Sequence, residues 1–561
     1  MWFCLYVLIQ PVDRKIFEER VFPREYSVMI YTDGNHYYAK DQMGNTICQD
    51  SPTSCIQEGI NYVFQRGGGI VFIKNGTYPI VDLNNVGYGI LMKSNVTLVG
   101  EDGATIFADS VGDISKYHSV IFMDNVDNIA IRNLKIKIAK QGWYAGIYFW
   151  AGLRNAVFDS LEITSDVGWY AYQNNFVVAI RGVVSNNDTY RIRIKNSYIY
   201  NTGYGISIGF ANIATSGSIK DVIIENNVVD LNQTTPVGTN GIAIGGRSDI
   251  IGENIIVKNN VVKRVGDAGI EIAYAKNAII ESNTLIDANA IFSRTIINGA
   301  IRNNLSIKHV FKAGIGYFLT DNVASENVEI SGNKIYGEGI SIWPGSISSY
   351  SFNRLIIADN IIKSLGRFGI QAQFNSWTTN VIVKENVIHV DYSDNSSFGI
   401  FLSGSQYAIV HGNIIYINNT NYEARGLYIN GCRYVIISRN YIYGSGNPLT
   451  GYFGIYWGNH YIFDNVLPSV VFDSSYPPNP VFINRNIQYV TENSGVATIN
   501  ANNTRVTVNH GLRKAPTKVL ITPLAQPPGK LWVENITSTS FDIVTDTAPT
   551  ADLQIAWYAE V

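Results

Sequence analysis

Short apolar stretches with alternating polar positions recur along most of the chain. From residue 205 onward, each stretch opens with Gly-Ile or Gly-Leu, and two further apolar stretches follow on either side of an asparagine. The openings are at Gly205, Gly241, Gly269, Gly314, Gly339, Gly369, Gly399, Gly426 and Gly454. The asparagines are Asn227, Asn260, Asn283, Asn304, Asn333, Asn360, Asn386, Asn413, Asn440 and Asn465. A repeat with a period of roughly 20–50 residues predicts a solenoid.

The strand content of each repeat indicates which solenoid forms. Each period holds three short stretches rich in Ile and Val, with apolar residues at every second position as in Gly205–Ile208. That alternation is typical of strands, and three strands with three corners make one rung of a parallel β-helix. We therefore predict an all-β fold with a parallel β-helix of roughly 12–14 rungs, stacked about 4.8 Å apart. Asparagine tolerates the left-handed conformation of a tight corner, and aligned asparagines predict an internal hydrogen-bonded ladder.

The two ends of the repeat region predict a cap and a separate domain. Ser51-Pro52 has the form of a helix start, and Ile56, Ile60 and Val63 follow at helical spacing, so we expect a helix that covers the first rung. The segment 1–50 is predicted to be an attachment and capping segment, and 51–470 the β-helix. The proline-rich run at 471–490 predicts a linker, and six alternating stretches in 491–561 predict an antiparallel β-sandwich.

The stretch that opens the repeat region resembles a known superfamily. After the predicted helix come Gly67-Gly68-Gly69, an apolar strand, Asn75-Gly76-Thr77-Tyr78 and then Val96-Thr97-Leu98-Val99-Gly100. This run resembles the opening of the pectate-lyase-like superfamily over roughly residues 50–470. The resemblance implies a right-handed parallel β-helix, which is also the hand favoured for parallel crossovers. It implies little about chemistry, because that fold carries lyases, hydrolases, epimerases and inert fibres.

The last part of the chain resembles another group of proteins. Val508-Asn509-His510-Gly511-Leu512, Leu531-Trp532-Val533 and Ile555-Ala556-Trp557-Tyr558 are similar to the C-terminal domain of tail fibres and spikes of phages and archaeal viruses. The resemblance implies a protein of the virion surface that acts outside the cell, is commonly a homotrimer, and attaches to a host glycan or glycoprotein. We expect the apolar segment Trp2–Ile9 to contact other virion proteins, and the C-terminal domain to lie at the distal end, either as the adhesin or as a trimerising cap.

The charge and cysteine content of the chain limit which classes of partner and cofactor we expect. The net charge is −3 and only 16% of residues are charged, with no basic stripe, so nucleic acid is not expected as a partner. Cys4, Cys48, Cys55 and Cys432 lack the spacing of a metal site, and we predict no cofactor. Cys48 and Cys55 flank a short loop and could form a disulfide or remain free thiols. Trp2–Ile9 is too short to span a membrane and lacks the basic start of a signal peptide.

An enzymatic alternative, a polysaccharide lyase or glycoside hydrolase, depends on few residues. Glu271 lies at the outward position of Gly269-Ile270-Glu271-Ile272 and is the one catalytic candidate, with a solvated carboxylate as its ordinary explanation. Arg193-Ile194-Lys195 matches one element of galacturonan hydrolases, but the Gly-His-Gly of those enzymes is missing. Ca²⁺ would be needed only by a lyase, and its carboxylate cluster is not evident.

A stronger signal is the outward position of each Gly-Ile-x-Ile strand. Along the predicted shaft this position is occupied by Ser207, Ala243, Glu271, Gly316, Ser341, Gln371, Phe401, Tyr428 and Tyr456. Its aromatic end could stack on sugar rings, form a subunit interface, or stabilise the sheet by cross-strand stacking. With the tryptophans nearby and in the last domain, the glycan-binding candidates are Trp343, Trp377, Phe401, Tyr428, Tyr456, Trp457, Trp532 and Trp557.

Sequons are frequent, as expected of a chain rich in asparagine. If the protein meets a glycosylating host, the acceptors expected in loops are Asn187, Asn232, Asn395 and Asn418. The sequence thus supports two functions: a structural, glycan-binding fibre or spike, and a polysaccharide depolymerase.

Overall fold

The computed structural model describes residues 25–561 except for short gaps. The gaps are at 169, 173–174, 211–215, 234–237, 308–313, 320–324, 345–352, 379, 393–395, 420–422, 446–448, 456–459, 468–469, 473–480 and 487–489. The predicted contact segment Trp2–Ile9 and the sequon at Asn395 therefore lie outside the described residues. Among the described residues, no helix has the length and apolar character needed to cross a membrane.

Three parallel sheets form the faces of the shaft, and we number them by the order in which each rung visits them. Sheet 1 holds the Gly-Ile strands, sheet 2 the strands before the asparagine, and sheet 3 those after it. Sheet 1 comprises Tyr88–Leu91, Val178–Val184, Tyr204–Phe210, Ile242–Gly245, Ile315–Leu319, Ile340–Pro344, Phe368–Thr378, Ser397–Ser405, Ala424–Cys432, Leu449–Ile455 and Val470–Phe472.

The other two faces are built in the same way. Sheet 2 comprises Val28–Thr32, Gly69–Ile73, Val96–Gly100, Thr189–Lys195, Ile219–Glu225, Gly252–Lys258, Glu326–Ser331, Leu355–Ala358, Val381–Lys384, Tyr407–His411, Tyr434–Ser438, His460–Phe463 and Val481–Asn484. Sheet 3 comprises Gly76–Asp82, Ala104–Val111, Lys135–Ile138, Glu162–Ser165, Tyr198–Tyr200, Val228–Asp230, Leu305–Ile307, Lys334–Gly337, Ile361–Ser364, Val387–Asp391, Ile414–Asn418 and Tyr441–Ser445.

Four long strands pass around corners of the shaft. His118–Arg132 and Trp143–Asp159 run from sheet 1 into sheet 2, whereas Val261–Glu281 and Thr284–Arg302 run through sheets 3, 1 and 2. A short hairpin, Tyr170–Tyr172 with Asn175–Phe176, lies outside the sheets. All pairings between rungs are parallel among the described residues, so each strand lies above its counterpart in the preceding rung.

Side-chain alternation explains why the shaft is stable. In Tyr204–Phe210, Ile206 and Ile208 are buried in the interior, and the register places them on Ile242 and Ile244 of the next rung. Inward Ile, Val and Leu repeat in this way from rung to rung and form one continuous core. Burial of one such side chain is worth about 1.5–3 kcal/mol.

The predicted asparagine ladder is present at the corner between sheets 2 and 3. Each of the ten asparagines is buried, and from Asn260 onward its side-chain oxygen accepts hydrogen bonds from the backbone and side-chain amides of the asparagine before it. The side-chain oxygen of Asn227, the first member, accepts from the backbone N–H of Ser197 at 3.0 Å. The amide of each asparagine also donates to a carbonyl of the preceding rung, as Asn360 does to Ile330 at 3.0 Å. An eleventh member, Asn486, extends the ladder beyond the predicted ten. The ladder satisfies polar groups that would otherwise be buried without partners.

The N-terminal end of the shaft is closed by a helix and a small antiparallel unit. The helix Ile56–Gln65 packs Ile56, Ile60 and Val63 into the core, as predicted. It begins later than predicted: Ser51 instead accepts a hydrogen bond from the backbone N–H of Cys55 at 2.9 Å, so Ser51-Pro52 belongs to the preceding turn. Val28–Thr32, the first strand of sheet 2, pairs with Gly69–Ile73, and Tyr37–Asp41 and Thr46–Gln49 complete the cap.

A disulfide and the C-terminal boundary refine the prediction. Cys48 and Cys55 are joined by a disulfide, whereas Cys432 is buried as a free thiol. The shaft continues past the predicted boundary at 470, because Val470–Phe472 and Val481–Asn484 pair with strands of the last full rung. The expectation that 471–490 is wholly a linker is therefore wrong. The prolines that suggested it lie at 477–480, within a gap of the described residues.

The C-terminal part consists of two three-stranded antiparallel sheets around their own core. One sheet holds Glu492–Ile499, Leu553–Glu560 and Lys518–Pro523, and the other Arg505–Asn509, Ser540–Thr545 and Leu531–Glu534. Phe541, Ile543 and Ile555 are fully buried between them. The predicted fold class is confirmed: a capped parallel β-helix, here of about 12 turns, followed by an antiparallel β-sandwich. It is the architecture that the resemblance to the pectate-lyase-like superfamily implied.

Candidate functional site

The outward position of sheet 1 forms one register column along the shaft. The column is Leu91, Phe122, Tyr148, Arg181, Ser207, Ala243, Glu271, Phe292, Gly316, Ser341, Gln371, Phe401, Tyr428, Tyr452 and Val471. The predicted order is correct from Ser207 to Tyr428 except that Phe292 enters after Glu271. The place assigned to Tyr456 is wrong, since Tyr452 pairs with Tyr428. Tyr456 itself lies outside the described residues.

Phe401 and Tyr428 contact each other and their surroundings closely. Their ring centroids are 4.8 Å apart and nearly parallel, and Phe398 meets both rings edge-on. The guanidinium of Arg425 lies 4.8 Å from the Tyr428 ring. The stacking and cation–π contacts stabilise the sheet and leave both side chains only half exposed. This arrangement agrees with cross-strand stacking, one of the three roles expected for the stripe.

The tryptophans predicted beside this stripe have varied positions. Trp343 is half-buried on sheet 1 and pairs with Phe318, so it belongs to the next outward column. Trp377 falls in the strand Phe368–Thr378, and its side chain lies outside the described residues, as does Trp457. The structure therefore does not join these tryptophans to Phe401 and Tyr428 in one described surface.

Glu271, the catalytic candidate, is held by neighbouring side chains. One carboxylate oxygen lies 3.2 Å from Nε of Arg294, and the other accepts a hydrogen bond from the Asn240 amide at 2.6 Å. The residues before and after it in the column are Ala243 and Phe292, neither of which carries a carboxylate. Two carboxyl groups are the usual requirement for glycoside hydrolysis. The contacts of Glu271 are those of a structural ion pair.

The Arg-Ile-Lys element is likewise part of an ion-pair network. Arg193 pairs with Glu225, and Lys195 with Asp159 at 3.1 Å. Lys258, one rung further along, reaches the same Glu225 at 3.4 Å. These arginine and hydrogen-bond contacts outweigh burial and lower the pKa of the Glu225 carboxyl. Alternating charges on successive rungs thus explain this motif without a catalytic role.

One group of side chains could offer metal ligands by its spacing. Among the described residues, the single grouping of three potential ligands is Cys48, Cys55 and Glu58. The two sulfurs are joined in the disulfide and therefore cannot act as thiolate ligands. The Glu58 carboxylate accepts hydrogen bonds from Ser51 and Thr53.

Trp532 differs from the other described candidates because it presents its ring to solvent. It lies on the outer face of the sandwich with 40% of its surface exposed, and its indole N–H donates to Glu534 at 3.1 Å. Arg505 forms ion pairs with Glu534 and, at 3.0 Å, with Asp542. The register places Trp532 and Arg505 on either side of Val544, so ring and guanidinium occupy one row of the sheet.

The carboxylate beside this row is firmly ionised. Asp542 accepts hydrogen bonds from the Thr507 hydroxyl at 2.7 Å and from the Asn535 amide at 2.8 Å. These hydrogen bonds, together with the charge of Arg505, lower the pKa of the Asp542 carboxyl. Trp532, Arg505, Glu534, Asn535 and Asp542 form what we call the sandwich face. It combines an exposed aromatic plane with fixed donors and acceptors.

The structure corrects the prediction that Trp557 contacts a glycan. Only 9% of its surface is exposed, and it meets Phe541 edge-on with ring centroids 5.6 Å apart. Alternation along Leu553–Glu560 directs Leu553, Ile555 and Trp557 inward together. Trp557 is therefore a core residue of the sandwich, and a sugar cannot stack on it.

An aromatic cluster near the N-terminal end of sheet 1 was missed by sequence reasoning. Tyr88, Phe122, Tyr144, Tyr148 and Trp150 lie close together on the outer surface, and each ring has a neighbour within 6.3 Å. The signal that could have found them is Gly146-Ile147, because it places Tyr148 in the outward column. The sequence predicts this column only from residue 205 onward, where the repeat becomes regular.

The sequons occupy different settings. Asn187 and Asn232 are half-buried, and the amide of Asn232 donates to Asn201 at 3.3 Å. Asn418 is exposed, but it ends the strand Ile414–Asn418 and donates to Asp391 at 3.0 Å. Its predicted place in a loop is therefore wrong. That any of these asparagines carries a glycan stays a prediction.

Comparison with known proteins gives matches of low identity. No family model and no curated protein matches the chain. A mutant tailspike of the E. coli bacteriophage HK620, in complex with a pentasaccharide, is 12% identical; 93% of this chain and 92% of that chain are covered, with a TM-score of 0.42. The tailspike gp49 of Pseudomonas phage LKA1 is 12% identical, with coverages of 90% and 93% and a TM-score of 0.37. The A-module of the Azotobacter vinelandii mannuronan C-5 epimerase AlgE6 is 15% identical, with coverages of 77% and 93% and a TM-score of 0.32.

Proposed function

We propose that the chain is a fibre or spike protein of the virion surface that attaches the particle to a host cell through a glycan. The observation that carries this proposal is the sandwich face, where the exposed ring of Trp532 lies beside polar groups fixed by hydrogen bonds. Sugar recognition needs this combination, because a sugar ring packs its apolar C–H face on an aromatic plane while its hydroxyls bond to planar polar groups.

The shaft supports the same function by its mechanical properties. Stacked rungs with a continuous core and an asparagine ladder form a rod in which each rung contacts only its neighbours. Such a rod can present a terminal domain at a distance from its anchor. Attachment to other virion proteins through the N-terminal segment, and origin from an archaeal virus, remain predictions from the sequence.

The depolymerase alternative is not favoured by any contact in the described residues. Glu271 is occupied by Arg294 and Asn240, and the Arg-Ile-Lys element by Glu225 and Asp159. A polysaccharide panel scored for reducing ends and unsaturated uronate, with and without Ca²⁺, tests this alternative. Turnover that Glu271→Gln removes would establish it.

The proposed attachment function is tested by glycan binding to the full chain. We expect wild type to bind members of a glycan array, and Trp532→Ala to weaken that binding by about tenfold or more, as expected for a lost stacking contact. Leu520→Ala is the matched control, since Leu520 is 52% exposed on the opposite sheet of the sandwich. Absence of glycan binding by the wild type would overturn the proposal, and equal loss in both variants would remove the sandwich face from it.

A homo-oligomer, with the trimer as the first expectation, is the second part of the proposal. Twelve large apolar side chains on sheets 2 and 3 are exposed in the C-terminal rungs, each by 37–52%. They are Tyr336, Ile361, Val387, Ile414, Tyr441 and Tyr443 on sheet 3, and Tyr407, Ile409, Tyr434, Ile436, Tyr461 and Phe482 on sheet 2. We call these residues the two apolar faces.

The size and spacing of the apolar faces favour a second copy of this chain as their partner. Together the twelve side chains expose on the order of 1,000 Å², about half on each face, so packing one face against the other buries about the total area at which specific interfaces begin. Their rows repeat at the rung spacing of about 4.8 Å, a repeat that another β-helix shares. Because one chain carries two different faces, packing one against the other in a neighbour gives a closed ring when the rotation between copies closes, as a three-fold rotation does for a trimer.

A further inference from the structure

The aromatic cluster at the N-terminal end of sheet 1 forms a continuous surface. Tyr88 stacks on Phe122 at 5.6 Å, Phe122 lies 5.5 Å from Tyr148, and Tyr148 lies 6.3 Å from Trp150. All four side chains are half-buried rather than enclosed, so each keeps part of its ring accessible. We call these four residues the aromatic wall. It lies on the shaft, apart in sequence from the sandwich face.

Arg181 follows the aromatic wall by one rung in the same column. The register places it between Tyr148 and Ser207, and its guanidinium donates to the Ser207 hydroxyl at 2.5 Å. Burial raises the pKa of the Tyr144, Tyr148 and Tyr204 phenols, and the positive charge of Arg181 opposes that shift in each, so the guanidinium lies near all three. The next outward residue after Ser207 is Ala243, whose short side chain does not cover the guanidinium.

Among the described residues Arg181 has no carboxylate partner, whereas several other arginines of the shaft have one. Arg154 pairs with Asp127, Arg193 with Glu225, Arg264 with Asp230, Arg294 with Glu271, and Arg302 with Glu281. Within the described part of the chain, no carboxylate lies within ion-pair distance of Arg181. The half-buried guanidinium of Arg181 therefore lies near aromatic rings with no negatively charged side chain of the described residues to balance it.

The surroundings make this cation a strong anion-binding group. Burial raises the pKa of Tyr148 to about 12, which indicates that water is partly excluded beside Arg181. Charge interactions are stronger where water is excluded, and a guanidinium matches a carboxylate through two parallel hydrogen bonds. The aromatic wall offers neighbouring planes on which the apolar face of a sugar ring can pack.

We propose that the aromatic wall and Arg181 bind an acidic saccharide, with the sugar carboxylate on the Arg181 guanidinium and the adjoining rings on Tyr148 and Phe122. This inference rests on the proposed glycan-binding function and adds a second site with a stated chemistry. The ligand class is a sugar carrying a carboxylate, either an internal uronate of a polymer or a terminal sialic acid.

The test is calorimetric titration of the full chain with defined probes. The probes are tetramers of galacturonate and mannuronate, 3′-sialyllactose, and the carboxyl-reduced form of each. We expect one acid probe to bind and its reduced form to bind at least about tenfold more weakly, the loss typical of a hydrogen bond to a charged group. Tetramer binding identifies an internal uronate, and sialyllactose binding a terminal acid.

Variants place the binding at this surface. Arg181→Met should lower affinity for the acid probe at least about tenfold, and Arg181→Lys should lower it less. Lys220→Met is the charge-matched control, because Lys220 is an exposed cation on sheet 2. Melting curves of each variant confirm that the shaft remains folded.

The outcomes separate this inference from the proposed function. If the wild type binds only neutral glycans, or if acid binding survives Arg181→Met and fails in Trp532→Ala, this inference is overturned while glycan attachment stands. If no glycan of any kind binds, both fail. Loss of acid binding in Arg181→Met alone supports the inference whatever the sandwich face does.

Discussion

At the scale of single residues, the position of a side chain in the strand alternation decides its role more than its type does. Trp532 and Trp557 belong to the same small sandwich, yet one is 40% exposed and the other is in the core. Both were expected as glycan contacts from their residue type. The inward neighbours Leu553 and Ile555 already place Trp557 in the core, and the same alternation explains the exposure of Trp532.

A buried asparagine tests the ladder directly. Asn360→Ala removes the amide that donates to Ile330 and Asn386, and the oxygen that accepts from Asn333. Each buried group left without a partner costs about 1–3 kcal/mol, so we expect a clear fall in the thermal melting temperature. The measurement is differential scanning calorimetry.

The matched control for the ladder is an asparagine at the surface. Asn418→Ala removes hydrogen bonds to Asp391 and Ser445 that water can replace, and we expect a change within about 1 kcal/mol. Equal melting temperatures for Asn360→Ala and wild type would contradict the stabilising role of the ladder.

Tyr148 predicts a pH dependence of stability. In the folded chain burial raises its pKa to about 12, whereas an unfolded tyrosine ionises near 10. Above pH 10 the unfolded chain therefore binds fewer protons than the folded chain, so stability falls as pH rises from 10 to 12. Melting temperatures over this range should fall less steeply in Tyr148→Phe. Tyr117→Phe, which removes a phenol of a side chain that is 59% exposed and lies outside the apolar faces, is the control for loss of a phenol.

At the scale of elements, the repeat pattern was sufficient for the fold but not for every register. The sheet 1 strand between Gly269 and Gly314 is absent from the series of predicted openings because Ala290, not glycine, precedes Ile291 in Thr284–Arg302. Near the end, Gly454-Ile455 has the form of an opening, but shifts in the register of Leu449–Ile455 bring Tyr452 opposite Tyr428. Local composition identifies strands, whereas the insertions and bulges that fix their alignment depend on contacts with the neighbouring rung.

The capping helix offers a prediction at this scale. Ile60 is fully buried against the first rung, and Ile60→Ala leaves a cavity that should lower the free energy of unfolding by about 2–5 kcal/mol. The control is Gln65→Ala at the exposed end of the same helix, with little expected change. Denaturant melts followed by circular dichroism provide the measurement. An unchanged midpoint in Ile60→Ala would show that the helix does not protect the shaft.

At the scale of the whole molecule, chemistry is spread over separate surfaces of one rod. The sandwich face carries an exposed tryptophan with fixed polar partners, and the aromatic wall carries a cation without a carboxylate. The two apolar faces carry almost only aliphatic and aromatic side chains. The sequence pattern predicted an aromatic stripe and placed the possible contact between subunits on sheet 1. The apolar faces of sheets 2 and 3 were not predicted, because their exposure depends on which strand of each rung carries the aromatic residues.

The apolar faces give the last prediction, which concerns assembly. Glutamate at Ile409 and Ile436 places two charges in the middle of the sheet 2 face, where an oligomer would have to bury them without partners. In light scattering we expect wild type at a multiple of the 62.2 kDa chain mass, three being the first expectation, and the Ile409→Glu, Ile436→Glu double variant at one chain mass. The control pair, Ile223→Glu with Ile256→Glu, occupies the same outward column of sheet 2 in earlier rungs, outside the apolar faces. If only the first double variant dissociates to monomers, the contact between subunits lies in the C-terminal rungs. If both double variants dissociate, the contact extends along sheet 2. A wild-type monomer at micromolar concentration, or an oligomer that survives both pairs, would show that these faces do not hold copies of the chain together.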